Sequence, residues 1–244
     1  MSGRLGIINL RNLMRTVKIS VLKLELMKMK KEHVGNLLLG LFGIMAVGVI
    51  FRAQWVQNLD VIGQQWLTLT PTESLTSLFL IISRIGNHVT LLAVTVVIFV
   101  ILWLSKKGLL AIWFAGTMAF SGTAVPFILK HLFARSRPIG GLFTRTGYSF
   151  PSGHSTGATV FYGLLITLAL LFLKKKWQKA LVTVSLSGIV LLVLWSRVYL
   201  GFHFSTDVLA SLFLGSGQVL GSVALYHELE ESGVQVPNFT THSA

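Results

Sequence analysis

The sequence contains no cysteine, which excludes disulfides, thiolate nucleophiles and cysteine-ligated metal centres. It is almost as poor in acid. Of 244 residues only Glu25, Glu32, Asp60, Glu73, Asp207, Glu228, Glu230 and Glu231 are carboxylates, so Asp207 stands alone between Glu73 and Glu228. Over that stretch a two-metal hydrolytic centre lacks its ligands and paired-carboxylate chemistry lacks its partner, while a serine nucleophile would have to share the one Asp in a triad. Charge is scarce altogether. Charged residues make up 12% against 53% hydrophobic, far from the usual balance of a soluble domain.

What is present is a series of apolar runs of roughly 18–22 residues, the length a helix needs to cross about 30 Å of hydrocarbon. We read all-α architecture: six transmembrane helices, a short interfacial helix and extramembrane loops carrying the chemistry. The spans cover about Asn36 to Phe51, Val89 to Leu104, Leu109 to Leu129, Ser155 to Leu173, Ala180 to Leu200 and Val208 to Tyr226. Leu75 to His88 holds the interfacial helix, and the polar stretch before it, with Trp55 and Trp66, suits the headgroup level.

Residues 1–33 form a basic extension, an amphipathic surface helix or a segment preceding a start at Met27 or Met29. Residues 34–227 form the membrane domain and 228–244 a tail. The net charge of +13 would suggest nucleic acid in a soluble chain. Here it reflects loops facing the cytoplasm, and no nucleic-acid partner is expected. Lys106 and Lys107 lie in one such loop, and Lys174, Lys175, Lys176 and Lys179 in another. Both termini then share the cytoplasmic side, and two loops emerge together outside, at 130–154 and about 199–207.

The first outside loop gathers Lys130, His131, Arg135, Arg137 and Arg145 where the topology rule disfavours cations, and a bound anion is the simplest cause. A compact ammonium combined with planar guanidinium forks suits phosphate oxygens. Pro138 biases Arg137 away from helix. Gly153 permits a tight turn, and the N–H groups of Gly153 to Ser155 would open a span as an anion site, joined by Ser152 and His154; the alternative is a capped helix with a surface histidine. In the second loop Arg197 needs a partner or an anionic ligand unless it snorkels. His203 and Asp207 are four residues apart, so a helical turn would let the carboxylate hold one ring N–H and free the other nitrogen. Asp207 could equally sit in a helix first turn capped by Ser205 or Thr206. A zinc site on His131, His154 and His203 stays open, though these residues lack the usual helical spacing.

Lys130 with Arg137-Pro138, then Pro151-Ser152-Gly153-His154, then Ser196-Arg197 leading through Gly201 to His203 and Asp207, resembles the three-part signature of the type 2 phosphatidic acid phosphatase superfamily. The resemblance implies a metal-free lipid phosphatase without cofactor. In it His203 forms a phosphohistidine, Asp207 orients it, and His154 serves as acid and then base. Lys130, Arg137, Arg197, Ser152 and the Gly153 backbone would bind phosphate. The implied substrate is a phosphorylated lipid in the bilayer of the cell membrane, of the phosphatidylglycerol phosphate, phosphatidic acid or undecaprenyl pyrophosphate kind, met on the outer side. A lipid-to-lipid phosphotransferase of the same fold and a non-catalytic anion transporter are the rival readings. The soluble, vanadate-binding haloperoxidase branch is disfavoured by the spans. Nothing in the sequence indicates an oligomeric state.

Overall fold

The computed structural model describes residues 32–67, 71–143, 145–234 and 236. Most of the basic extension therefore lies outside the described residues, as does most of the tail. Among the described residues there is no strand. The helices are α1 (Glu32–Ile50), α2 (Gln54–Leu67), α3 (Glu73–Ile85), α4 (His88–Leu104), α5 (Gly108–Thr117), α6 (Val125–Phe133), α7 (Gly153–Phe172), α8 (Lys176–Tyr199) and α9 (Ser205–Glu231). A π-helical turn, Met118–Ala124, joins α5 to α6, making one continuous span of Gly108–Phe133.

Five helical stretches are long and apolar enough to cross a bilayer, and a sixth arises if α3 and α4, bent by 41° at their junction, act as one. These lengths mark an integral membrane protein. The bend falls at Gly86-Asn87, where the Asn87 side chain accepts from Val89 N at 3.3 Å and starts α4 afresh. The segment read as an interfacial helix is thus α3, bent onto α4. The helices also run further than the apolar runs suggested. Lys130 and His131 occupy the last turn of α6, where Lys130 Nζ reaches Tyr148 O and His131 Nδ1 reaches Phe127 O, and Asp207 the first turn of α9, where Arg135 and Phe204 N satisfy its buried carboxylate.

Helix α7 is the centre of the bundle. Half of its most apolar window is buried, against 28–39% for the other single-helix spans, and it packs against α8, α9 and the π turn. Small residues make this possible. Beta carbons on Gly215 and Gly163 would meet Thr159 and Val219 at 2.8 and 3.1 Å. The π turn has a local cause: Pro126 has no N–H to continue the ladder, and Val125 N reaches back five residues to Phe120 O.

Helix α2 occupies the stretch read as polar interface. Trp55, Leu59, Val61 and Ile62 are exposed while Val56 and Asp60 are buried, so α2 presents an apolar face outward and one carboxylate inward, against α8 and α9. Helix direction decides where the chemistry collects. The N-termini of α4, α7 and α9 and the C-termini of α6 and α8 meet at one end of the bundle. The Lys106-Lys107 and Lys174-Lys176 turns meet at the other, where Lys107 Nζ lies 3.8 Å from the Phe172 ring centroid.

Candidate active site

At that end a cavity of about 400 Å³ is lined by Lys130, Arg137, Gly153, His154, Arg197 and His203, together with His88, Thr123, Pro126, Phe127 and Arg145. Each side chain is held from a different element. Lys130 Nζ donates to Tyr148 O at 2.9 Å. Arg137 leaves the extended loop before Pro138; its Nε donates to Thr146 O and Gly147 O at 3.2 Å and its Nη1 to Phe202 O at 2.6 Å. Arg197, 1% exposed, bonds Ser83 Oγ through Nη1 and lies 4.5 Å from the Phe202 ring centroid. Its buried Nε has no acceptor among the described residues. Arg145 covers the same ring at 4.6 Å.

His203 lies just before α9, 2% exposed. Its Nδ1 is 3.4 Å from Asp207 Oδ2, and its Nε2 is 3.4 Å from Arg137 Nη1. A guanidinium only donates and an ionised carboxylate only accepts, so the network assigns the proton to Nδ1 and leaves Nε2 unprotonated, its lone pair turned to the Arg137 donor. Burial, reinforced by Arg197, Lys130 and Arg137, holds the His203 imidazole well below the usual histidine range, with a Ser149 backbone hydrogen bond acting the other way. The ring is therefore neutral, as a nucleophile requires. Asp207 is fully buried, and its Oδ2 also accepts from Phe204 N at 3.0 Å. The residue preceding α9 is thus Phe204, in place of Ser205 or Thr206, and the backbone-to-Asp207 bond ties the His203 loop to the helix.

Gly153 and His154 open α7, and Ser152 caps it, accepting from Ser155 N at 3.4 Å and from Ser155 Oγ at 2.9 Å. Ser152 is buried behind the wall rather than on it. Gly153 is not needed for a positive φ, since it has none. Its role is space: a beta carbon there would fall 3.0 Å from His88 Nε2. The conformational glycine is Gly201, at φ 72, whose Cα would lie 2.7 Å from a beta carbon on Gly141. The loops before α7 and before α9 touch backbone to backbone at this point.

Four residues of this region had no assigned role in the sequence reading. His88 interrupted an apolar run and was passed over. Arg145 was counted as basic only. Arg135 and Asp60 form a brace behind the site: Arg135 Nη2 bonds Asp60 Oδ2 at 2.5 Å, and its Nη1 bonds Asp207 Oδ1 at 2.6 Å and Thr206 Oγ1 at 2.9 Å. Rarity was the available signal for Asp60, one of eight acids in a membrane chain. His131 takes no part; its ring packs on Phe127 and Tyr148, and among the described residues no three His, Asp or Glu converge as metal ligands.

Residues 110–230 match the PAP2 superfamily. Phosphatidylglycerophosphatase B of Bacillus subtilis is 41% identical over 92 residues, 36% of this chain and 44% of that protein. Undecaprenyl-diphosphatase BcrC of the same organism is 31% identical over 122 residues, 43% of this chain and 58% of that protein. The chain thus spans about half the length of these curated relatives. The crystal structure of a transmembrane PAP2 type phosphatidylglycerolphosphate phosphatase from Bacillus subtilis superposes with a TM-score of 0.72 at 26% identity, over 83% of this chain and 98% of that one. With the three motif segments brought to one cavity on a fold shared with that enzyme, residues 110–230 form a PAP2 superfamily domain.

Proposed function

We propose that the protein is an integral membrane lipid phosphatase working through a phosphohistidine. One observation carries the reading: a neutral imidazole with an unprotonated Nε2 faces a cavity into which, among the described residues, Lys130, Arg137, Arg145 and Arg197 also reach. Two like charges about 4–8 Å apart repel by on the order of 2–4 kcal/mol at an effective dielectric near 20. An anion with several oxygens turns that repulsion into binding, and the unpaired Arg197 Nε supplies a donor for it.

In the first step the His203 Nε2 lone pair forms the N–P bond. The P–O bond to the lipid breaks, and the departing oxygen keeps its electron pair and takes a proton from His154. In the second step a water oxygen attacks phosphorus, its proton passes to His154, and the N–P electrons return to His203. Asp207 stabilises the phosphoimidazolium through Nδ1–H. Lys130, Arg137 and Arg197 bind the equatorial oxygens with the Gly153 N–H at the α7 N-terminus. Ser152 acts indirectly, by capping that helix. No step in this scheme calls on a metal ion or cofactor.

The names of the relatives and the position of the cavity at one end of the spans support phosphatidylglycerol phosphate or undecaprenyl pyrophosphate as substrate, and the superfamily resemblance adds phosphatidic acid. The α3–α4 pair is the sixth span. The two lysine turns at the far end support a cytoplasmic position for that end and for both termini, with the site outside the cell membrane. A transporter would distribute its cations along the midplane, whereas these sit at one end.

The test is phosphate release from those three lipids by detergent-purified protein in excess chelator. Chelator-resistant release lowered at least about 10³-fold in His203→Ala supports the reading. Release that needs metal, or survives His203→Ala, overturns it, and a phosphorylated acceptor lipid in place of free phosphate converts it to phosphotransfer.

A further inference from the structure

Asp207 is held by more than His203. Its second oxygen, Oδ1, is 2.6 Å from Arg135 Nη1, while the His203 contact to Oδ2 is 3.4 Å. A guanidinium bound this closely would by itself neutralise the carboxylate that the phosphoimidazolium needs. The other arm of Arg135 ends on Asp60 Oδ2 at 2.5 Å. Asp60 arrives from α2, a helix distant in sequence, and is 5% exposed. Its Oδ1 accepts from Thr206 N at 3.0 Å and from Thr206 Oγ1 at 2.7 Å. Thr206 Oγ1 in turn accepts from Arg135 at 2.9 Å, and Phe204 stacks on the Arg135 guanidinium at 4.2 Å.

We propose that Asp60 and Arg135 are positioning residues that act through Asp207, Arg135 fixing the carboxylate and Asp60 restoring its negative charge. The proposal rests on the reading of His203 as nucleophile. Asp60, Arg135 and Asp207 together carry one net negative charge. When His203 is phosphorylated the ring gains one positive charge, and the pair of units balances without moving a side chain. Without Asp60 the guanidinium and Asp207 cancel, and the charge that develops on the ring in the transition state goes unmatched. Arg135 also holds Asp207 Oδ1, so that Oδ2 stays on the imidazole and on Phe204 N. Asp60 at the same time fixes the first turn of α9 through Thr206. Neither Asp60 nor Arg135 lines the cavity, so neither touches a ligand bound there.

The experiment is a double-mutant cycle on Asp60→Asn and Asp207→Asn, assayed by single-turnover and steady-state phosphate release from whichever lipid of the panel wild type consumes. Thermal unfolding confirms the folded state of each variant. Asp60→Asn is expected to lower kcat by about 10–100-fold at unchanged KM. In the Asp207→Asn background the same substitution is expected to lower kcat less than about 3-fold, because the residue it acts through is already gone. Equal losses in both backgrounds, a loss carried by KM, or a kcat within about 3-fold of wild type would overturn the proposal. Should Asp60→Asn not fold, Thr206→Val, which removes the hydroxyl shared by Asp60 and Arg135, replaces it in the cycle with an expected loss of about 3–10-fold; Thr206→Ser restores it. A wild type that releases no phosphate, or a fully active His203→Ala, would instead defeat the phosphohistidine reading on which the cycle depends.

Discussion

The His88 imidazole stands edge-on to that of His154, ring centroids 5.4 Å apart at an interplanar angle of 71°. Two glycines of α7 make room for it. A beta carbon on Gly153 would lie 3.0 Å from His88 Nε2, and one on Gly157 would lie 3.2 Å from Cε1 and 3.4 Å from Gly122 O. His88 thus lies against the start of α7, next to the group read as general acid, and its buried Nδ1 has no partner among the described residues.

Gly157→Ala should therefore push His88 against His154. The expected result is a stability loss of about 1–3 kcal/mol from overpacking and a several-fold lower kcat. Adding His88→Ala should return part of the stability, since the clash is then gone. Chemical denaturation of the single and double variants measures both effects. Equal stability of Gly157→Ala and wild type would show that His88 has another place to go.

His154→Ala should discriminate between leaving groups. A lipid alkoxide needs a proton to depart, so release from the natural class of substrate should fall about 10²–10⁴-fold. Nitrophenolate leaves without one, and hydrolysis of p-nitrophenyl phosphate should fall far less. Comparing kcat for the two substrates checks this. Equal losses would point to a binding role for His154.

Arg197→Lys keeps the charge but not the fork. A lysine there cannot hold Ser83, stack on Phe202 and still offer a second donor to phosphate. The loss expected is about 1.5–3 kcal/mol of transition-state stabilisation, or about 10–100-fold in kcat/KM. Inhibition by inorganic vanadate should weaken by a similar factor, because both report the same oxygen contacts.

The acid limb of activity should lie well below the ordinary histidine range. The folded environment lowers the affinity of His203 for a proton, so the free Nε2 lone pair persists as pH falls and is lost only when the lowered value is crossed. A profile of log kcat/KM against pH, corrected for the second phosphate ionisation near ~6, measures it. An acid limb at or above pH ~6.5 would contradict the burial argument.

The architecture and the motif residues were legible because both are written in local terms. Apolar runs of spanning length announce helices whatever their neighbours, and Lys130, Arg137, His154, Arg197, His203 and Asp207 declare themselves as charge in an apolar chain. Helix ends differ from the apolar runs where a tertiary partner made polarity acceptable, as at Lys130 with Tyr148 O and at Asp207 with Arg135. The polar stretch at 54–67 proved helical because Asp60, its one acid, turns inward.

Sequence alone determined that this chain has apolar runs long enough to cross a membrane, that Asp207 is the one carboxylate between Glu73 and Glu228, and which cations and histidines are available. Those properties depend on composition and on spacing along the chain. Tertiary structure alone decided that α2 and α4 belong to the site. Asp60 and His88 lie 147 and 119 residues before Asp207, and only packing against α7 and α9 sets the paired imidazoles at the cavity and the Arg135 brace behind it. No local pattern encodes such a contact, because a side chain's charge is visible in the sequence and its partner is not.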